Sequence, residues 1–265
     1  MPNHDAIAAF EVAENSAPRA QTLAAQVGAM NIGRDSESGW RDLRPTILGL
    51  IDSTGARNVL EVGGGRFPFL QMDEIRARGL ELTVNDVIEA ELKLAPEMFA
   101  KSCFDIAGDL PVDAELGSFD FIFSRMVFEH VKDARKAWSN IYQLLAPGGV
   151  GFAYVPTLWS PPFLFNRMTP EVLSAWVLKK IDPNRTAERV PKFPAYYDLC
   201  RANSKAVAPK LVEIGFREVV VAPFFGTPYF PVVPVLKHVA RAFDRTVEAL
   251  DARNFASYAY IIAQK

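Results

Sequence analysis

The stretch Val59–Phe69, read VLEVGGGRFPF, constrains the chain most. Val59, Leu60 and Val62 form a short apolar run of the kind found in inner parallel strands. Gly63, Gly64 and Gly65 follow at once, and consecutive glycines let a backbone take positive φ and approach a ligand closely. Glu61 lies inside the strand, two residues before the first glycine. A carboxylate buried there is costly unless something binds it. The reading is a strand that runs into a ligand-holding turn.

Around this turn, strands and helices alternate. Helices are expected over residues 6–30, Leu43–Ile51, Phe69–Arg78, Glu89–Leu94, Ala134–Leu145, Lys205–Ile214 and Val235–Leu250. Strands are expected at Asn58–Val62, Leu82–Val87, Phe119–Ser124, Val150–Val155, Glu218–Ala222 and Ser257–Ala263. Asp35–Trp40 reads as a polar loop. The alternation predicts an α/β fold with a mostly parallel sheet and helices on both faces. Residues 156–205, rich in proline and aromatics, break the rhythm. They are expected to form an inserted cap over the carboxyl ends of the strands, where open α/β sheets bind ligands. The chain thus divides into an N-terminal helical segment, 1–40, and one ligand-binding domain, 41–265, carrying the cap.

Composition limits the function classes. The net charge of −2 gives no global pointer to nucleic acid. Cys103 and Cys200 stand apart with no CxxC, which fits unpaired thiols in a reducing compartment, and the N-terminus lacks a signal-peptide pattern, so a cytoplasmic location is expected. Three widely spaced histidines make a His/Cys metal site improbable, so no metal is expected. Val219–Leu236 carries no charge over eighteen residues, but Pro223, Pro228, Pro231 and Pro234 forbid a continuous membrane helix.

Further residues bear on the ligand. GxG after a strand also fits dinucleotide-binding folds, but the third glycine of GxGxxG falls on Pro68, which has no N–H for a pyrophosphate. Asp86 lies 21 residues after Gly65, at a strand's carboxyl end, where an acid accepts ribose hydroxyls. Asp105 and Ile106 pair an acid with an apolar residue, a combination suited to an adenine ring.

The segments VLEVGGGRF, VNDVIEAEL, FDIAGDLP, FDFIFSRMVFEHVKD and IYQLLAPGGVGFAYVP fall in the order and spacing of the class I methyltransferases that use S-adenosylmethionine (SAM). The chain most resembles the small-molecule group that includes the UbiE/MenG quinone methyltransferases. The resemblance covers roughly residues 40–156, and 205–265 also fits. It implies a Rossmann-like, doubly wound, seven-stranded sheet and SAM as cofactor. It places Glu61, Gly63 and Gly65 at the methionine part of SAM, with Gly64 in the same turn. Asp86 is placed at the ribose, Val87 on the adenine, Asp105 and Ile106 at the adenine's edge, and Ser124, Arg125 and Met126 on the sulfonium side. Phe67 departs from relatives with a third glycine there. His130 follows the third clear strand and is the catalytic candidate, since a neutral imidazole can take a proton from a hydroxyl, phenol or thiol. A structural role for the Glu129–His130 pair stands beside that reading. Methyl transfer is an in-line displacement that needs alignment and a dry pocket.

Two uncharged aromatic stretches, Phe152–Asn166 and Ala222–Leu236, point to an apolar or aromatic small-molecule acceptor. Residues 160–210 carry nine basic and four acidic side chains, a balance of +5, against −7 elsewhere. That balance suits an anionic group on the acceptor, or contact with an anionic membrane surface. Three functions follow: methylation of a small apolar or aromatic acceptor, methylation of a prenylated quinone or lipid at a membrane surface, or SAM binding without turnover. The sequence leaves the oligomeric state unspecified.

Overall fold

The computed structural model describes residues 12–14, 22–160, 194–226 and 236–265, with side chains described over 22–160, 194–226 and 242–265. Eight strands are present among them: β1 (Val12–Glu14), β2 (Asn58–Val62), β3 (Glu81–Asp86), β4 (Ala100–Cys103), β5 (Phe119–Arg125), β6 (Leu145–Pro156), β7 (Glu218–Phe224) and β8 (Tyr258–Gln264). They form one sheet in the order β1-β7-β8-β6-β5-β2-β3-β4. The run from β4 to β6 is parallel, and β8 and β7 close it antiparallel. This is the expected seven-stranded Rossmann-like sheet, with three residues of β1 added antiparallel on β7.

Helices pack on both faces. α1 (Leu23–Ala29), α2 (Ser36–Arg41), α3 (Leu43–Thr54), α4 (Met72–Arg78) and α5 (Glu89–Leu94) precede β5 in the chain, and α6 (Ala134–Leu144), α7 (Ser204–Ile214) and α8 (Leu236–Ala249) follow it. α3 buries Leu43, Ile47, Leu50 and Ile51, a helical stripe, against a core that includes Val59, Phe121, Phe123 and Tyr154. α6 buries Ala137, Trp138, Ile141 and Leu144 on the other face, against Leu60, Ile122 and Ala153. The side-chain alternation of β5 feeds both cores: Phe121 and Phe123 enter one, and Ile122 the other.

Several elements differ from the sequence expectation. Val12–Glu14 is a strand inside the alanine-rich run read as helical. Residues 36–41 are a helix rather than a loop, because Asp35 caps it by accepting from the Ser38 N–H at 2.9 Å. α4 starts at Met72, three residues later than expected, where Gln71 and Glu74 form a capping box. β4, with the mostly polar sequence AKSC, has no apolar run to reveal it. Most of the predicted cap, 161–193, lies outside the described residues.

Candidate functional site

β2 delivers its residues to the carboxyl edge of the sheet. There the Gly63 and Gly64 N–H groups both donate to the Asn85 carbonyl, at 2.9 and 3.0 Å. Gly63 takes φ 73° and Gly65 φ 50°. A Cβ at Gly63 would lie 2.4 Å from Val127 Cγ2, and one at Gly65 3.0 Å from Asp86 Oδ2. Both positions therefore need glycine for backbone conformation and for space. The same contacts show which segments the turn joins: the end of β3 on one side and the turn after β5 on the other.

Glu61 is buried, and both its carboxylate oxygens accept from the Phe69 N–H, at 3.1 and 2.8 Å. Burial pushes its carboxyl up to about 7, partly offset by that N–H and by the positive charges of Arg125 and Arg44. Asp86 is the last residue of β3 and accepts from the Ile88 N–H at 2.9 Å. Burial, then the neighbouring Glu91 carboxylate, holds its carboxyl above the ordinary value. Val87 beside it is 56% exposed and offers an apolar surface at the sheet edge. Asp105 accepts from the Ala107 N–H at 2.8 Å. Ile106 corrects the expectation: at 2% exposure its side chain belongs to the core and leaves almost none of its surface for an adenine ring in this conformation.

Two asparagines hold these loops in register, and single polar residues inside apolar elements gave little sign of it. Asn85 donates to the carbonyls of Ser102 and Phe104, both at 3.0 Å, while its own carbonyl receives the glycine turn. Asn140 of α6 donates to the carbonyls of Ile106 and Gly108, both at 2.8 Å. Each amide replaces the missing ladder bonds of irregular backbone, as buried polar groups require.

β5 ends in Ser124, Arg125 and then Met126, which takes φ 55° and donates its N–H to the Tyr154 carbonyl at 2.9 Å. A positive φ outside glycine is strained backbone at the sheet's carboxyl edge. The Ser124 hydroxyl is buried with no hydrogen-bond partner among the described residues. Arg125 is half-buried, with its guanidinium carbon 4.8 Å from the Phe69 ring centroid.

A 3-10 turn, Phe128–His130, follows. His130 Nδ1 lies 2.9 Å from the Pro194 carbonyl. A carbonyl only accepts, so Nδ1 carries the proton and Nε2 the basic lone pair. Nε2 is 3.8 Å from Glu129 Oε1. Glu129 itself is buried, which pushes its carboxyl up to about 8, and its Oε2 has no partner among the described residues. The Glu129 carbonyl accepts from the N–H groups of Tyr196 and Tyr197, at 2.7 and 3.1 Å. Tyr197 and Leu199 both take positive φ, at 54° and 53°. The chain returning from the predicted cap is thus bolted onto the Glu129–His130 turn.

The aromatic stretches meet, although beneath the site. Tyr154 and Phe224 are fully buried with ring centroids 6.3 Å apart, and Phe225 is buried too. Trp40 of α2 stands edge-on to Tyr154 at 4.9 Å and is 44% exposed. Phe163, Phe165, Tyr229 and Phe230 lie outside the described residues. Among the described residues no group of three His, Cys, Asp or Glu side chains could hold a metal ion, and no helix is long and apolar enough to cross a membrane.

The site's donor set fits SAM. It joins a glycine turn, an acid at the end of β3 and a buried acid beside the turn, with an exposed apolar residue for a ring. Comparison with known proteins agrees. The sequence profile described as a methyltransferase domain matches residues 32–177, just over half of the chain. Phosphoethanolamine N-methyltransferase 2 of Caenorhabditis elegans is 32% identical over 88 residues, a third of this chain and 20% of that protein. The aligned stretch thus spans a fifth of the curated relative's length. The solved structure of the DszA carbon methyltransferase superposes with a TM-score of 0.53 at 18% identity, covering 87% of this chain and 55% of the other. A SAM-dependent methyltransferase from Archaeoglobus fulgidus gives 0.49 at 19% identity, covering 87% and 100%. By its sequence profile and the sheet that carries it, the chain belongs to the methyltransferase domain family, within the class I, SAM-dependent methyltransferases.

Proposed function

We propose that the protein transfers a methyl group from SAM to a small acceptor held at the carboxyl edge of the sheet, beneath the 156–205 cap. The observation that carries this is the convergence of three segments at one edge: the Gly63–Gly65 turn, Asp86 packed against Gly65, and the Ser124–His130 turn packed against Gly63 through Val127. SAM supplies an electrophilic methyl group. The chain's residues bind and orient it: Glu61 at the methionine ammonium, Asp86 at the ribose hydroxyls, Val87 and Asp105 at the adenine. Met126 and Ser124 line the approach to the methyl group.

His130 is the proton acceptor for the acceptor's hydroxyl, phenol or thiol. Support comes from its Nδ1 bond to Pro194, which fixes the ring and puts the basic lone pair on Nε2. The acceptor is small and largely apolar or aromatic, with an anionic group favoured by the +5 balance of residues 160–210. The likeness to the UbiE/MenG group adds a prenylated quinone or lipid to the candidates. Flotation with anionic liposomes separates that version: association supports it, and no association removes it. The test of turnover is the accumulation of S-adenosylhomocysteine with a panel of phenols, thiols, amines and anionic small molecules. Accumulation with at least one acceptor class is expected. None across the panel, with SAM binding intact, makes the chain a SAM-binding protein without turnover.

A further inference from the structure

Phe69 organises more charge than its apolar side chain announces. Its N–H bonds both oxygens of Glu61, and its ring lies against two guanidinium groups, Arg44 at 4.4 Å and Arg125 at 4.8 Å from the centroid. Cation–ring contacts of this kind fix a guanidinium plane without neutralising it. Arg44 is neutralised: it donates to Glu74 at 2.6 Å and to the Phe69 carbonyl at 2.7 Å. Arg125 is different. Among the described residues it has no ion pair and no hydrogen bond, although it is half-buried and carries a fork of donors. A cation held away from bulk water, beside a second cation, is an anion site.

The neighbouring acid identifies the anion. Glu61 and Arg125 meet the same residue, one through its backbone and one through its ring, so an acid and an unpaired cation stand side by side. An α-amino acid presents the complementary pair, an ammonium and a carboxylate on one carbon. The alternative placement, Arg125 beside the sulfonium, sets two positive charges together and opposes binding.

We propose that Arg125 receives the α-carboxylate of the methionine part of SAM, so that Glu61 and Arg125, joined through Phe69, read the amino-acid end as one zwitterion. This moves Arg125 from the sulfonium side to the far end of the cofactor, and it rests on the SAM reading above. The site then rejects donors and nucleosides that lack the carboxylate. An anionic group on the acceptor is the other source of the same chemistry.

Calorimetry with two probes separates the sources. One probe is SAM, and the other is decarboxylated S-adenosylmethionine, which keeps the sulfonium and a terminal ammonium. The wild type is expected to bind SAM at least about tenfold more tightly, the scale of a hydrogen bond to a charged group. Arg125→Gln is expected to bring the two affinities within about threefold, by weakening SAM and leaving the decarboxylated probe nearly unchanged. Arg125→Lys keeps part of the preference, since it retains charge and loses the fork. A preference that survives in Arg125→Gln assigns the guanidinium to the acceptor and overturns the proposal, as does an equal loss for both probes. Equal binding of both by the wild type overturns it without any variant. Absence of SAM binding by the wild type overturns the donor reading itself, so the two failures are distinguishable.

Discussion

Glu61 and Glu129 are buried acids whose charge is withheld by the fold, one at about 7 and the other at about 8. For Glu61 the consequence is pH-dependent binding. Below about pH 7 the carboxyl is protonated and does not pair with an ammonium, so SAM affinity is expected to fall by up to about tenfold per unit as the pH drops further. Calorimetry from pH 5.5 to 8 reads this directly, and pH-independent affinity contradicts Glu61's role. For Glu129 the consequence is stability. Its native value lies above that of an unfolded glutamate, about 4.3, so the native state holds the extra proton. The stability is complete below that lower value and is lost as the pH rises through about 8. Glu129→Gln is therefore expected to flatten the fall in melting temperature between pH 5 and 8. An unchanged profile contradicts the burial argument. His130→Ala tests the proton acceptor. Its rate is expected to drop by about 10²–10⁴-fold with loss of the pH dependence, and a rate within a few-fold of wild type makes the residue structural.

At the scale of elements, β7 does more than extend the sheet. Glu218 at its start accepts from the Leu23 and Ala24 N–H groups at 2.8 and 2.7 Å, and so seats the N-terminus of α1 from nearly two hundred residues away. Glu218→Ala is expected to cost about 1–2 kcal/mol, a lowering of melting temperature by several degrees in thermal unfolding. A change under one degree contradicts it. This contact was invisible in the sequence because nothing local marks which strand acid meets which helix. The elements that were legible carry their signal locally: VLEV before three glycines, FDFIF as an inner strand, and Gly55 and Gly79 as left-handed helix ends. β4 was not legible because an edge strand with a polar sequence needs no apolar run. α2 was hidden because one aspartate cap outweighs a polar composition. Asn85, Asn140 and the Arg125–Phe69 stack were unreadable for a third reason, since their partners lie 17 to 56 positions away in the sequence.

For the whole molecule, the sheet's carboxyl edge gathers residues that the sequence spreads from Glu61 to Pro194, and the donor half of the site is built from the most local of them. The acceptor half depends on 156–205, which the Glu129–His130 turn grips at its returning end. Ligand that binds only the folded chain stabilises it by mass action, so SAM at a hundred times its dissociation constant is expected to add about 2.7 kcal/mol. The most direct test of the account is calorimetry of S-adenosylhomocysteine with the wild type, Gly65→Val and Asp86→Ala. The account predicts one site per chain in the wild type and a loss of at least about tenfold in each variant. Unchanged affinity in both variants, or no binding by the wild type, contradicts it.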